Sequence, residues 1–301
     1  MAKKILITGG TGLIGKELRE LLRLQGHDVS ILSRSKKEHP HFRFFQWDVE
    51  KDYIEEGALN VDCIIHLAGA GIAEKPWTND RKKIIIDSRV KTTALLGKKL
   101  REMDGEKPGY IGASAIGIYG NQDSRPFNED EESTNRDNFL VEICHQWEEA
   151  HEQLNKVVGQ WAVIRIGIVM SPEGGALNKL LIPMKGRVAN YFGDGSQIFS
   201  WIHIGEICRM FSYMVENEIS GIYNGVAPNP VNGKELANAL ASVKSGPYLK
   251  FGVPETALRL MFGEMADAVL ASSWVSSDKI EKSGFHFEFE KIDKALKDLI
   301  A

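Results

Sequence analysis

Two groups of residues have types and spacing suited to chemistry before any element is assigned. The first is Ile5-Leu6-Ile7-Thr8-Gly9-Gly10-Thr11-Gly12-Leu13-Ile14-Gly15, whose glycines satisfy both a GxxGxxG and a GxGxxG spacing. Gly9 permits a sharp turn off a strand. Gly12 has no side chain to block a diphosphate, and Gly15 lets the next helix pack close to a sheet. The free N–H groups at the helix mouth, from Thr11 through Leu13 and Ile14, would face the phosphates, with the helix dipole favouring negative charge. The bland alternative is a glycine-rich turn without a ligand. The second group is Ser33-Arg34-Ser35-Lys36, at the end of the next apolar run. An acid here suits a ribose 2′-hydroxyl, whereas an arginine suits a 2′-phosphate. Arg34 with no acid beside it therefore favours NADP(H) over NAD, unless it is an ordinary solvated side chain.

These groups need elements to hold them. The first half alternates short β-branched runs with helical patterns, the signature of parallel strands joined by crossover helices. Strands are expected at Lys4–Thr8, Val29–Leu32, Phe42–Trp47, Val61–Leu67, Tyr110–Ser114 and Val163–Val169. Their nearly continuous apolar character implies a sheet covered on both faces. Leu13–Gln25 puts Ile14, Leu18, Leu21 and Leu22 on one helical face, and Gly26 closes it. Further helices are expected near Thr78–Met103 and Asn138–Val158. Later segments suggest a helix over Ser200–Val215, a strand over Gly221–Val226 and a helix over Asn232–Val243 capped by Asn232. The tail offers Trp274–Ile280, an alternating Phe285-His286-Phe287-Glu288-Phe289 and a terminal helix.

The fold class expected is α/β: a doubly wound parallel sheet of the NAD(P)-binding Rossmann type with a smaller C-terminal substrate lobe. Residues 1–170 would form the core, with 198–226 returning to its sheet. Residues 171–301 would form the lobe, including a C-terminal helical segment over 250–301.

Bulk properties exclude several classes. The chain has 301 residues, 43% hydrophobic and 26% charged, enough to bury a sizeable core. A net charge of −4 gives no electrostatic footprint for nucleic acid or an anionic membrane. The opening apolar run is too short for a signal peptide, and no stretch approaches the ~18 apolar residues of a membrane span. Cys63, Cys144 and Cys208 are far apart and odd in number, which argues against a disulfide framework and a metal site. A cytoplasmic protein is expected.

The order of motifs resembles the short-chain dehydrogenase/reductase superfamily in its extended, sugar-nucleotide-epimerase-like branch. Trp47-Asp48-Val49 matches that branch's adenine-contacting acid, Asp48. His66-Leu67-Ala68-Gly69-Ala70 matches the turn beside the cofactor, and Ser114-Ala115-Ile116-Gly117-Ile118-Tyr119-Gly120 its active-site strand. Ser200-Trp201-Ile202-His203-Ile204 and Gly221-Ile222-Tyr223-Asn224-Gly225 match later segments. The chain is most similar to an atypical "epimerase family" subgroup, some of whose members carry the names cell-division inhibitor or nucleoside-diphosphate-sugar epimerase. Ala68–Ala73 with Trp77, Asp87-Ser88-Arg89-Val90, Phe139-Leu140 with Trp147-Glu148, and Arg165–Val169 carry this narrower likeness. It implies cofactor contacts from Leu67, Ala68, Gly69 and Ser88.

One departure matters most. The wider family uses a Tyr-x-x-x-Lys pair on the helix after the active-site strand, and none of the seven tyrosines here has a lysine four residues later. By motif alignment Glu142 and Gln146 stand in those places, on one helix face. Glu142 is thus a candidate acid/base, Ser114 a candidate to orient a substrate carbonyl or hydroxyl, and Tyr119 a candidate proton donor. Each has a plain alternative: an exposed helix glutamate, a strand-end serine, a packed tyrosine. His145 falls off that face and is expected in solvent, while Trp201 and His203 are as well explained by packing as by ligand contact. The implied function is an NADP(H)-binding epimerase/dehydratase-like oxidoreductase or isomerase acting on a small molecule, a sugar nucleotide or a carbonyl compound, with homodimer formation open. The alternative is a non-catalytic NADPH-binding sensor or regulatory protein.

Overall fold

Alternation along each buried strand decides which way the sheet packs. Ile5 and Ile7 enter one core with Ile31 and Ile164, whereas Leu6 enters the opposite core with Leu32, Ile64 and Val163. All of these strand residues are essentially without solvent exposure, as parallel strands between two helical layers must be.

The computed structural model describes residues 1–244 and 247–300; Ser245, Gly246 and Ala301 of the expected C-terminal lobe lie outside the described residues. The chain runs β1 (Lys4–Thr8), α1 (Leu13–Leu24), β2 (Asp28–Ser33), β3 (Arg43–Asp48), β4 (Tyr53–Ile54), β5 (Cys63–His66), α2 (Asn79–Glu102), β6 (Gly109–Ala115), β7 (Gln122–Phe127), α3 (Phe139–Asn155), β8 (Trp161–Ile166), β9 (Ile168–Ser171) and α4 (Gly175–Met184). It continues with β10 (Val188–Phe192), β11 (Ile198–Phe199), β12 (Trp201–His203), α5 (Ile204–Glu216), β13 (Gly221–Gly225), β14 (Val231–Asn232), α6 (Gly233–Val243), β15 (Leu249–Val253), α7 (Glu255–Phe262), α8 (Ala266–Leu270), β16 (Ser273–Val275), α9 (Asp278–Lys282) and α10 (Ile292–Ile300).

Eight strands form the main sheet in the order β13-β8-β6-β5-β1-β2-β3-β4. Every pairing in it is parallel except β3 with β4. α1 and α5 pack together over one face; α2 and α3 pack together over the other. This is the doubly wound α/β architecture, and the order reverses direction at β1, where β5 and β2 flank it. A crevice outside the strand ends is built at such a point. The apolar stripe of α1 keeps Leu18 and Leu22 wholly buried. Truncating either to alanine would cost about 2–5 kcal/mol.

A separate core of Met170, Leu177, Trp201, Leu236, Leu240 and Leu296 joins β9, α4, β12, α6 and α10. Asn232 caps α6 through a reciprocal capping box with Glu235, as its position predicts. Among the described residues, no helix is long and apolar enough to cross a membrane.

Three local expectations need correction. Val163–Val169 is two strands, because Gly167 breaks the run: its N–H reaches Gly225 O, while Ile168 N–H turns to Ser200 O. A Cβ on Gly167 would meet Ser200 O at 2.4 Å, so only glycine fits the crossing. Ser200–Val215 is not all helix; Trp201–His203 pairs in parallel with Ile168–Met170, and α5 starts at Ile204 with the His203 ring accepting from Gly205 N–H. The alternating Phe285–Phe289 run, to which the sequence assigns no element, lies outside the strands and uses its rings for packing: Phe285 is buried beside Tyr213, and Phe289 stacks on His203 at 4.1 Å. The 250–301 segment is mixed, with most of β15 and all of β16 among its helices.

Candidate functional site

The turn from β1 into α1 owes its shape to contacts that only glycines allow. Gly9 sits at φ +69°, and a Cβ there would lie 2.7 Å from Leu67 O. A Cβ on Gly15 would lie 2.4 Å from Gly9 O, so α1 packs directly onto the turn. Gly12 differs. It closes the turn with an N–H bond to Gly9 O, and a Cβ there would meet only that same oxygen, at 3.2 Å. Thr11 and Gly12 are exposed, and Leu13 and Ile14 half-buried. Gly12 is the N-cap of α1 without any side-chain cap, and no acid occupies the first turn. The orphan N–H groups and the positive end of the helix dipole are thus left to whatever lies outside. From the N-terminus of α4, Gly174 approaches this turn closely enough that a Cβ on it would stand 3.3 Å from Leu13.

Beside the turn, the loop after β5 is pinned from below. Thr8 Oγ1 lies 2.7 Å from His66 Nδ1 and accepts from Ala68 N–H at 3.1 Å. His66 Nε2 lies 3.1 Å from Thr93 Oγ1. Burial holds the His66 imidazole well below its usual pKa, so the ring is a neutral part of the frame. Ser88 accepts from Ala70 N–H at 2.9 Å and donates to Ile85 O, which fixes the loop of Leu67, Ala68 and Gly69 against α2. On the other side of β1, Arg34 is exposed at the end of β2. Asp48, at the end of β3, accepts from the N–H groups of Glu50 and Lys51 and pairs with Lys51 at 3.2 Å. The Lys51 ammonium holds its carboxyl below the ordinary value.

At the end of β6 the structure builds a charged network that the sequence reading missed. Ser114 Oγ donates to Glu148 Oε1 at 2.6 Å. Arg165 grips the same carboxylate with two bonds of 2.9 Å, from Nε and Nη2. Its Nη1 donates to Tyr119 Oη at 3.0 Å and to Glu129 O at 2.9 Å. Tyr119 in turn donates to Asn224 Oδ1 at 2.6 Å, and Asn224 N–H reaches Glu129 Oε1. Ser114, Tyr119, Arg165 and Asn224 are all buried. Burial raises the Tyr119 phenol to about 12 against the opposing pull of Arg165.

Glu142 stands elsewhere on α3. It accepts from Gln146 Nε2 at 2.5 Å and lies 3.6 Å from Arg136. Six residues separate it from Glu148, which is about 240° around the helix and about 9 Å along it. The structure therefore brings Ser114 and Tyr119 into one network but leaves Glu142 outside it. His145 corrects an expectation: it is buried, and its Nε2 lies 2.7 Å from Ser133 O. Arg165 carried a readable signal. An arginine inside the apolar run of β8 must find an acid, and the nearby helix offered Glu148.

Fold and turn together define a dinucleotide-binding protein of the Rossmann α/β type. The sequence matches the NAD dependent epimerase/dehydratase family over residues 5–224, and the chain belongs to that family. A domain of unknown function, DUF1731, matches residues 253–299. The chain is 34% identical to the epimerase family protein YfhF of Bacillus subtilis, over 99% of this chain and 98% of that one. It is 32% identical to the mouse epimerase family protein SDR39U1, over 99% and 100% of the two chains. The crystal structure of human SDR39U1 with NADPH superposes with a TM-score of 0.87 at 27% identity, covering 98% of each chain.

Proposed function

We propose that this protein binds NADP(H) across the mouth of α1 and acts as an epimerase/dehydratase-like oxidoreductase on a small carbonyl compound or sugar nucleotide. The uncapped α1 N-terminus at Gly12 carries this reading, because backbone donors and a helix dipole there lack an internal acid. The human relative's structure with NADPH supports the choice of cofactor. Gly9, Thr11, Gly12, Leu13, Ile14 and Gly15 would hold the diphosphate; Leu67, Ala68 and Gly69, braced by Ser88, would flank the nicotinamide half. Arg34 would pair with the 2′-phosphate, and Asp48 would border the adenine. When bound, the cofactor supplies hydride chemistry.

The chain's own contribution to proton movement is proposed to centre on Ser114 rather than a tyrosine–lysine pair. Ser114 would bond a substrate oxygen and relay one proton between it and Glu148, toward the substrate as a carbonyl is reduced and toward Glu148 as a hydroxyl is oxidised, with Arg165 as the charge that holds Glu148 in place. In this reading Glu148 takes the acid/base part that sequence spacing gave to Glu142. A second reading, a non-catalytic NADPH sensor, draws on the same network: both Glu148 oxygens and the Tyr119 hydroxyl are already engaged by protein groups.

The test is calorimetric titration of purified protein with NADPH, NADP⁺ and NADH, followed by turnover with a panel of carbonyls and nucleotide sugars. Binding with turnover that Ser114→Ala abolishes supports the enzyme. Binding without turnover or exchange of cofactor label supports the sensor. Absence of heat with every cofactor overturns both.

A further inference from the structure

Two arginines are buried near the crevice, and the protein satisfies only one. Arg165 has a bidentate carboxylate, a phenol and a backbone carbonyl. Arg89, on α2, is 7% exposed and makes no ion pair among the described residues. Its Nη1 donates to two neutral carbonyls, Ala70 O and Ile85 O, both at 3.0 Å. Its Nε is buried without a hydrogen-bond partner. The guanidinium lies 4.8 Å from the centroid of the Trp147 ring on α3. Burial lowers its pKa to about 10, so it still carries a full charge at neutral pH. A buried cation with no counter-charge is strongly disfavoured unless a ligand completes it.

The surroundings say where that ligand lies. A Cβ on Gly69 would stand 3.1 Å from Arg89 Cζ, so the guanidinium rests directly against the bare backbone of the loop after β5. Sheet order then assigns the half of the dinucleotide. With the diphosphate at the β1 turn, the adenosine half falls over β2 and β3, and the other half over β5 and β6. Arg89 follows β5 and touches the helix that follows β6, which puts it on the nicotinamide side.

We propose that Arg89 is a cofactor-binding residue of the nicotinamide half, whose guanidinium donates to the ribose or carboxamide oxygens and biases the protein toward NADPH over NADP⁺. This rests on the cofactor reading above. The bias follows from charge: the oxidised ring is a cation and the reduced ring is neutral, so a fixed buried cation opposes only the oxidised form.

The experiment compares the unaltered protein, Arg89→Gln and Arg89→Lys, each first checked for a cooperative melt. Each is titrated with NADPH, NADP⁺ and adenosine 2′,5′-bisphosphate, which lacks the nicotinamide half. Arg89→Gln should weaken NADPH by roughly tenfold, the scale of a hydrogen bond to a charged donor. It should weaken NADP⁺ much less, erasing the preference for the reduced form, and leave the bisphosphate unchanged. Arg89→Lys should keep part of the preference. An unchanged NADPH to NADP⁺ ratio, or equal weakening of all three ligands, would overturn the proposal and leave the cofactor reading standing. If the unaltered protein binds none of the three, both fall.

Discussion

Ser114 and Glu148 share a 2.6 Å hydrogen bond whose acceptor is held at the same time by both faces of the Arg165 fork. A strand-end hydroxyl, a helix carboxylate and a strand guanidinium are thereby locked across β6, α3 and β8. The serine is the one member of this trio that can be removed without leaving a buried charge uncompensated.

That asymmetry predicts unequal costs. Glu148→Ala strands the 3%-exposed Arg165 side chain without its counter-ion and should destabilise the fold by about 3–5 kcal/mol. Ser114→Ala removes a neutral partner and should cost about 1 kcal/mol. Thermal or urea unfolding of the two variants decides the matter. Similar losses would mean that Arg165 is compensated by some other group.

The glycines of the first turn should separate binding from folding. Gly12→Ala meets only Gly9 O, at 3.2 Å, so the fold should survive with a small loss while NADPH affinity drops by at least about tenfold. Gly15→Ala drives a methyl to 2.4 Å from a backbone oxygen and should cost about 1–3 kcal/mol in stability. Melting curves alongside cofactor titrations read both effects. A Gly12→Ala protein with full affinity would remove the diphosphate from this turn.

Arg34 should set cofactor choice rather than cofactor binding as such. Arg34→Ala is expected to weaken NADPH by roughly tenfold, the scale of a charge-assisted phosphate contact, and to leave NADH unchanged. Titration of both cofactors checks it, and parallel losses would assign Arg34 no role in discrimination.

The sequence made the glycine turn far more legible than the charged network at the end of β6. Gly9, Gly12 and Gly15 announce a local turn, and their spacing carries nearly all its geometry. The alternation of Ile5, Leu6 and Ile7 with the helix stripe of Leu18 and Leu22 similarly implies a sheet covered on both faces. Ser114, Glu148 and Arg165 come from three elements, and their meeting depends on strand order and helix rotation that no local spacing encodes. Helical arithmetic put Glu142 and Gln146 on one face correctly, and they do bond each other. It could not say which face meets β6. Gly167 and Trp201 failed for a related reason: a strand that changes sheets looks the same locally as one that continues.

Acid should weaken the fold in a defined window. His151 is wholly buried, its Nδ1 2.7 Å from Tyr110 Oη and its Nε2 3.0 Å from Ala113 O, and burial lowers its pKa from 6.5 to about 4. Between those values the unfolded chain binds a proton that the folded chain refuses, so stability falls as pH drops from about 6.5 toward 4, by about 3 kcal/mol in all. His66 is shifted in the same direction by burial. Melting temperature against pH measures this, and His151→Gln should show a shallower decline between pH 6.5 and 5. An unchanged slope would mean that His151 does not contribute to the acid response.

Tyr119 is the remaining candidate whose role a single variant can settle. Its hydroxyl donates to Asn224 Oδ1 and accepts from Arg165 Nη1, and its ring stacks on Phe127 with centroids 4.9 Å apart. With burial raising the phenol to about 12, the proton stays on oxygen throughout the physiological range. A hydroxyl so placed joins Asn224 on β13 to Arg165 on β8 and is expected to act as a brace. Tyr119→Phe leaves Asn224 Oδ1 without this donor, while Arg165 Nη1 keeps Glu129 O, so the loss should be about 1–3 kcal/mol. Cofactor affinity should not change, because the residue lies in the network beyond the end of β6 and not in the glycine turn. Unfolding curves and NADPH titration of the variant test both statements. If turnover is abolished while the melting temperature holds, Tyr119 belongs to the chemistry and the brace is wrong; if stability falls and the remaining folded protein turns over normally, the proton path runs through Ser114.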